Sequence, residues 1–316
     1  MLGGYTGKIV RVNLWSGRVS YESLPERALR SWIGGRGLGV YLMLREVDPR
    51  VDPLSPANKA LILTGPLTGI AGVPASGRWC SVTRSPLTGT IHDSHSGGKF
   101  GPELKFAGVD AIVVEGRAEK PVYLWVHEGK VELRDACHLW GKDTHDTTDA
   151  IKDELSTEIG KEEAEKVKVA CIGPAGERLV KVACIINDKS RAAGRGGHGA
   201  VWGSKNLKAI AVRGYEKPKI ADEDRFREAV AAAMRKIRKS PITSESLPKF
   251  GTSVLVNIIN EHGIFPTRNF QTGVFPTAGR ISGEAIAETI MDWDMQREEI
   301  CWGCPIGCAR YTRIAE

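Results

Sequence analysis

Short apolar runs that end on glycine recur through the first two-thirds of the sequence, and this punctuation limits the fold more than any other feature. Ala60-Leu-Ile-Leu63 and Ala111-Ile-Val-Val114 are too short for helices and are bounded by turn-forming residues, as buried strands are. Lys8-Ile-Val-Arg-Val-Asn-Leu14 alternates apolar and polar residues, and Ser16-Gly17 turns the chain toward Val19 and Tyr21, so this stretch predicts a hairpin. Val122–Val126 and Lys130–Leu133 flank Glu128-Gly129 as a second hairpin. Val167–Ile172, Val180–Ile186 and Leu207–Val212 read as further strands, and one helix is expected near 147–159, ending at Gly160. Glycine makes up 36 of the 316 residues, well above the usual share of about 7%. The glycines cluster without a period, which leaves tight turns and backbone that approaches a ligand closely.

After Gly214-Tyr-Glu-Lys-Pro218, a polar linker, the pattern changes. Asp222 can cap a helix that carries Phe226, Val230, Ala233 and Ile237 on one face, and Ser253–Glu261 and Gly283–Asp292 also favour helix. The chain therefore reads as α+β, with a β-rich domain over 1–214 and the beginning of a helical domain over 222–316.

The net charge of +6 arises from 44 basic and 38 acidic residues mixed along the chain, with no like-charge run of the kind that forms a nucleic-acid arm. Basic residues are better assigned to local anionic groups, phosphates or a reduced cluster. No apolar run reaches the ~18 residues of a membrane span. Met1-Leu-Gly-Gly-Tyr5 lacks the charged and apolar regions of a leader. The expectation is a cytoplasmic protein with neither membrane nor nucleic acid as a partner. Seven cysteines, an odd number in a long chain, argue against a disulfide framework.

Cys301-Trp-Gly-Cys304-Pro-Ile-Gly-Cys308 is the sharpest chemical signal. Three thiolates spaced by two and three residues can fold around one corner of an iron–sulfur cube. Gly303 and Gly307 leave room for sulfides and free backbone N–H groups to bond them, while Pro305 stiffens the turn. Zinc in a Cys₃His site competes, but no histidine follows Cys308. Three buried thiols on an irregular helix are the plain alternative. A fourth cluster ligand would have to come from Cys80, Cys137, Cys171 or Cys184, or from beyond residue 316, which is the expectation here. Cys171 and Cys184 lie within apolar runs and read as core residues.

Three glycine-rich stretches could cradle an anionic cofactor. Gly34-Gly-Arg-Gly-Leu-Gly39 superficially resembles a dinucleotide fingerprint but follows Trp32-Ile33 rather than a strand, so NAD or FAD binding is disfavoured. Ser76-Gly-Arg78 is followed by Arg84-Ser-Pro-Leu-Thr-Gly89 and His92-Asp-Ser-His-Ser-Gly-Gly98. There Arg78 can bind phosphate bidentately or bridge to a second redox centre. Ser190-Arg-Ala-Ala-Gly-Arg-Gly-Gly-His-Gly199 places two arginines among small residues, so guanidinium groups could clamp phosphates while amides approach from below. Taken singly, either of the last two stretches is equally a turn-rich loop between strands.

In combination and order, several segments resemble the aldehyde:ferredoxin oxidoreductases: Gly4-Tyr-Thr-Gly-Lys-Ile9, Gly34–Gly39, Leu63-Thr-Gly-Pro-Leu67, Ser85-Pro-Leu-Thr-Gly89, Gly101–Gly108, Arg191–Gly197, Gly203–Ile210 and the cysteine motif. The resemblance runs from residue 1 to about 310. It implies a saddle of two sheets on which two pterin dithiolenes chelate one tungsten or molybdenum, with a [4Fe–4S] cluster. It implies, too, an enzyme that converts an aldehyde to a carboxylic acid and passes electrons to ferredoxin. By motif, Arg78 matches an arginine between pterin and cluster. His95 falls at a pterin contact where asparagine is usual, Gly97 follows it, and Arg191, Ala192 and Gly194 match the second pterin loop. Cys301, Cys304 and Cys308 match three cluster ligands. Members of the family are roughly twice this length, and the resemblance assigns no catalytic acid or base to this chain. The expectation is thus an amino-terminal part that needs the missing carboxy-terminal region, whether as a truncated gene product, a fragment, or one part of a split gene with a separately encoded carboxy-terminal half. A homodimer is compatible with the sequence. The alternative is a non-catalytic remnant or an accessory iron–sulfur electron-transfer subunit.

Overall fold

The computed structural model describes residues 2–296 and 299–314, so the outermost ends of the expected intervals 1–214 and 222–316 lie outside the described residues. The chain divides into two compact units, one of residues 1–71 with 76–222 and the other of residues 72–75 with 223–316.

The first unit is built on two six-stranded mixed sheets. One contains β1 (Lys8–Asn13), β2 (Arg18–Ser23), β3 (Ala60–Leu63), β4 (Trp79–Arg84), β5 (Ile91–Ser96) and β6 (Ala111–Glu115), in the order β2-β1-β6-β3-β4-β5. The other contains β7 (Val122–His127), β8 (Lys130–Asp135), β9 (Lys168–Cys171), β10 (Ile185–Asn187), β11 (Arg191–Ala193) and β12 (Leu207–Arg213), in the order β11-β10-β9-β12-β7-β8. β1 runs parallel to β6 and β7 to β12, while the remaining pairs are antiparallel. Helices in this unit are α1 (Glu26–Trp32), α2 (Gly35–Glu46), α3 (Phe100–Phe106), α4 (Thr144–Ile159), α5 (Lys161–Lys166), α6 (Pro174–Glu177) and α7 (His198–Ser204). The expected α+β class with two sheets is what the structure has.

Alternation along the strands explains the layers. Val10, Val12, Ile62 and Val114 of the first sheet share one apolar cluster with Leu124, Ile210 and Val212 of the second, and with Phe100, Leu104, Val201 and Trp202 of α3 and α7. The next residues along, Leu61, Leu63, Cys80 and Val82, point to the opposite face and meet Leu38, Leu42 and Met43 of α2. On the outer side of the second sheet, Tyr123, Trp125 and Val169 pack on Ile151 and Leu155 of α4. Asp143 accepts hydrogen bonds from the N–H groups of His145 and Asp146 and so starts α4, which Gly160 ends. Both predicted hairpins form, and the second turns through Glu128 and Gly129, each in the left-handed region.

Several local expectations are corrected. The Val180–Ile186 run pairs only over β10, because residues 181–184 lay their backbone against the glycines of α7 instead. The Gly199 N–H donates to the Ala183 carbonyl at 2.9 Å, and a Cβ on Gly199 would strike the Cys184 carbonyl. Cys184 is consequently half-buried rather than a core residue, whereas Cys171 is buried as expected. Residues 91–96 form a full strand although they are mostly polar, since β4 supplies a complete ladder and partner context outweighs propensity. Helices α1, α2, α3 and α7 are additional to those expected: α2 and α7 are interrupted by glycines, and α1 and α3 are only 7 residues long.

In the second unit the helices are α8 (Glu223–Lys239), α9 (Leu247–Phe250), α10 (Leu255–Glu261), α11 (Gly283–Thr289) and α12 (Trp293–Gln296). The predicted helix over 283–292 stops at Thr289, and Met291 pairs instead with Thr312. Phe226, Val230, Ala233 and Ile237 are only half-buried, and the buried apolar residues of this unit among those described are Val73, Ala278 and Ala309. Phe270 and Ile264 are 80% and 66% exposed.

Close backbone packing gives a direct test. A Cβ on Gly203 would collide with the carbonyl of Gly176, where α7 crosses α6, whereas Gly89 sits at φ +69° with open space around it. Gly203→Ala is expected to cost about 3 kcal/mol through overpacking, and Gly89→Ala about 1 kcal/mol through backbone strain alone. Urea denaturation of the two variants checks the order.

Candidate cofactor-binding site

The site begins with the β4–β5 hairpin. Its register sets Trp79 opposite Ser96, Cys80 opposite His95, Ser81 opposite Ser94 and Val82 opposite Asp93. Because side chains alternate, Cys80, Asp93 and His95 share the α2 face, while Trp79, Ser81, Ser94 and Ser96 face the second sheet.

Asn187, fully buried at the end of β10, joins this hairpin to the other sheet. Its Oδ1 accepts from Ser96 Oγ at 2.6 Å and from Trp79 Nε1 at 3.2 Å, and its Nδ2 donates to the Gly97 carbonyl at 3.0 Å and to Asp188 Oδ2 at 2.9 Å. All four hydrogen-bonding positions of the amide are used. Asp188 Oδ2 also accepts from the Lys99 and Phe100 N–H groups at the start of α3. A Cβ on Gly98 would overlap that carboxylate, so the Gly97-Gly98 turn must be this bare.

Further along, the Arg195 N–H donates to Ser94 Oγ at 3.1 Å, and Ser85 Oγ donates to the Gly196 carbonyl at 2.7 Å. His92 Nδ1 and His198 Nε2 lie 3.2 Å apart, and His198 Nδ1 lies 2.8 Å from Ser81 Oγ. Gly196 packs on the His92 ring with no room for a side chain. Residues 76–98 and 190–199, a hundred positions apart in sequence, therefore form one continuous surface.

A cleft of about 510 Å³ opens on that surface, lined by Arg36, Asp93, Ser94, His95, Ala192, Gly194 and Arg195. His95, Ala192 and Gly194, singled out from sequence, meet here. Gly97 and Arg191 sit just behind, with Arg191 directly across the β10–β11 ladder from Asn187. Arg78 is exposed one residue before Trp79, and its carbonyl accepts from Thr68 Oγ1 at 2.9 Å. Among the described residues, no acceptor meets the guanidinium of Arg78 or Arg195.

Arg195 is one of the two arginines expected to clamp phosphates, whereas Arg36, Asp93 and Ser94 had no role assigned from sequence. Arg36 comes from the glycine motif that opens α2, and its Nε donates to Asp93 Oδ2 at 2.8 Å. The same carboxylate oxygen lies 2.9 Å from His95 Nε2. The only available signal was the density of basic and small residues in all three motifs. Burial, with the neighbouring His92 adding to it, pushes His198 down to about 3, so its ring is neutral between Ser81 and His92.

The cysteine triplet lies in the second unit, on irregular backbone. The Cys304 N–H donates to the Cys301 carbonyl at 3.1 Å, and Gly303 and Gly307 both adopt φ +64°. Cys301 and Cys304 are half-buried and Cys308 is exposed. Among the described residues the three sulfurs do not all lie within 4.8 Å of one another.

Two predictions follow from the buried network. Asn187→Ala strands partners on both sheets and is expected to cost about 3 kcal/mol, with faster amide exchange at residues 94–98 and 187–195. Between pH 6.5 and about 3 the unfolded chain binds a proton at His198 that the folded chain does not. Stability is therefore complete above pH 6.5 and falls as the pH drops through that window, and His198→Gln should flatten the loss in denaturation curves at pH 7 and 4.5.

Comparison with known proteins extends across both units. A family model described as aldehyde ferredoxin oxidoreductase, N-terminal domain, matches residues 9–214, and one described as domains 2 and 3 of that enzyme matches residues 228–316. Tungsten-containing aldehyde ferredoxin oxidoreductases of Pyrococcus furiosus and Pyrococcus abyssi are 53% and 51% identical over 98% of this chain. The chain spans about half of their length, 49% in each case. Among solved structures, the active-site complex BamBC of benzoyl coenzyme A reductase with 1,5-dienoyl-CoA superposes with a TM-score of 0.83. The two share 28% identity over 99% of this chain and 48% of that one.

Proposed function

The chain belongs to the aldehyde ferredoxin oxidoreductase family, and from that premise we propose that it forms the cofactor-cradling part of an enzyme that oxidises an aldehyde with water to a carboxylic acid and passes two electrons to ferredoxin. The observation that carries this reading is the convergence of two distant glycine-and-arginine loops on one cleft.

The residues present fit a bis-pterin cofactor. Arg78 and Arg195 offer guanidinium groups that meet no acceptor among the described residues, which is how a phosphate cradle presents itself. Gly194 and Ala192 bring bare backbone to the cleft, and the Gly97-Gly98 turn is held open by Asn187 and Asp188. Arg78, Arg191 and Arg195 would hold the phosphates, with His95, Gly97, Ala192 and Gly194 packing along the pterins. Cys301, Cys304 and Cys308 would hold three corners of a [4Fe–4S] cluster. When bound, the tungsten or molybdenum centre supplies the two-electron chemistry and the cluster relays electrons singly.

The protein residues bind, orient and exclude water. The Arg36–Asp93–His95 chain fixes the His95 ring along the cleft wall, and the β4–β5 ladder keeps these groups on rigid backbone. No residue of this chain is assigned as catalytic acid or base. The aldehyde as substrate is supported by 53% identity to an aldehyde enzyme against 28% to the benzoyl coenzyme A reductase, which has the same fold. Ferredoxin, a separately encoded carboxy-terminal half and a cytoplasmic location belong to the same reading. No helix among the described residues is long and apolar enough to cross a membrane. The open apolar face of the helical unit supports assembly with a further polypeptide or a second copy.

Metal analysis of the chain assembled with a carboxy-terminal half is expected to give one tungsten or molybdenum and four iron atoms per assembly; finding neither tungsten nor molybdenum overturns the reading. Arg191→Ala and Arg195→Ala should each lower retained tungsten or molybdenum about tenfold or more under limiting metal, since each removes charge-assisted bonds worth about 1.5–3 kcal/mol. Cys304→Ser should lose iron and visible absorbance while retaining tungsten.

A further inference from the structure

Cys80 was weighed from sequence only as a distant fourth ligand for the cysteine triplet. Its actual neighbours are Asp93 and His95. Cys80 Sγ lies 3.7 Å from His95 Nε2, His95 Nε2 lies 2.9 Å from Asp93 Oδ2, and all three atoms fall within 4.8 Å of one another. We propose that Cys80, Asp93 and His95 form a binding site for a borderline-soft divalent cation such as zinc, with Sγ, Nε2 and a carboxylate oxygen as its protein ligands.

The spacing matches the chemistry. Zinc bound at about 2.3 Å to sulfur and about 2.0–2.1 Å to nitrogen and oxygen in a tetrahedron separates S from N by about 3.6 Å and N from O by about 3.3 Å. The observed pairs differ from those edges by a few tenths of an ångström, within reach of small side-chain rotations. Thiolate, imidazole and carboxylate together form a common zinc donor set.

The scaffold is already rigid. Cys80 and His95 are direct partners in the β4–β5 ladder, and Asp93 is two residues from His95, so strand alternation delivers all three donors to one face. Cys80 is buried at the back, while the Asp93 and His95 side chains reach the cleft and are partly exposed. Three protein ligands with a fourth position toward the cleft is the arrangement of an open zinc site. An ion-pair chain accounts for Arg36, Asp93 and His95. It does not account for a thiol directed at the same point, which also contacts the Ser81 carbonyl at 3.6 Å and the Ser94 backbone.

Binding requires two changes. The Arg36 guanidinium must leave Asp93, and that side chain is 66% exposed, so a surface pair worth about 0–1 kcal/mol is lost. The Cys80 thiol must give its proton to solvent as the metal–sulfur bond forms, with no change in oxidation state. Burial foremost, helped by the Asp93 charge, pushes this thiol up to about 12 in the metal-free protein, so a cation is what stabilises the thiolate. The site shares His95 and one wall of the cleft with the proposed pterin cradle and adds the Cys80 thiolate behind it, and it can be tested without tungsten.

The experiment is a cobalt(II) titration of the chain carrying Cys301→Ser, Cys304→Ser and Cys308→Ser, which removes the competing thiolates. One equivalent of cobalt with thiolate-to-cobalt charge-transfer absorption is expected. Adding Cys80→Ser should abolish the charge-transfer band. His95→Asn and Asp93→Asn, at partly exposed positions that leave the ladder intact, should each weaken binding at least tenfold while the circular dichroism is unchanged. No such band in the triple variant, a band that survives Cys80→Ser, or full affinity in both His95→Asn and Asp93→Asn would each overturn the proposal.

Discussion

The carboxamide of Asn187 is the contact on which the geometry of the cleft depends. It sits at zero exposure between two sheets, accepts from Trp79 and Ser96 of one, and donates to the Gly97 carbonyl and to Asp188. A buried amide with all four positions satisfied is directional in a way that apolar packing is not. The apolar cluster of Val10, Ile62, Leu124 and Ile210 presses the sheets together, but it would tolerate small slips. The amide does not, and the Gly97 turn, β11 and the start of α3 take their positions from it.

Around that node the glycines have a consistent use. Gly98, Gly196 and Gly199 each stand where a Cβ would strike a carboxylate, an imidazole or a carbonyl. They are absences of side chain that allow backbone and polar groups from distant segments to meet. The high glycine content is therefore a packing requirement at a few crossings more than a sign of loose loops. Two features follow: bare backbone along the cleft, and arginines at its rim supplied by α2 and by the loop after β11.

The two units differ in how they are stabilised. The sheet unit has three apolar clusters, each formed by one face of a sheet against its covering helices or the other sheet. The helical unit buries little apolar surface beyond Val73, Ala278 and Ala309 among its described residues, although α8 has a well-formed apolar stripe. A stripe that is half-exposed contributes only part of its transfer free energy. This imbalance agrees with a chain that spans half the length of its relatives.

Much of this was already determined by local sequence. Strand runs such as Ala60–Leu63, the Glu128-Gly129 turn, the α4 cap and the α8 stripe depend on neighbours a few residues away, so periodicity and turn chemistry reveal them. The combined motifs revealed the family. What only the tertiary structure decided is which motifs share a surface. The polar segment 91–96 becomes a strand because β4 lies beside it, Val180–Cys184 fails to become one because α7 takes its carbonyls, and Arg36 joins the cleft by pairing with Asp93, 57 positions away. Cross-strand register and buried side-chain bonds link residues as far apart as Ser81 and His198, 117 positions along the chain. Their energies depend on distance in space, to which local periodicity is blind.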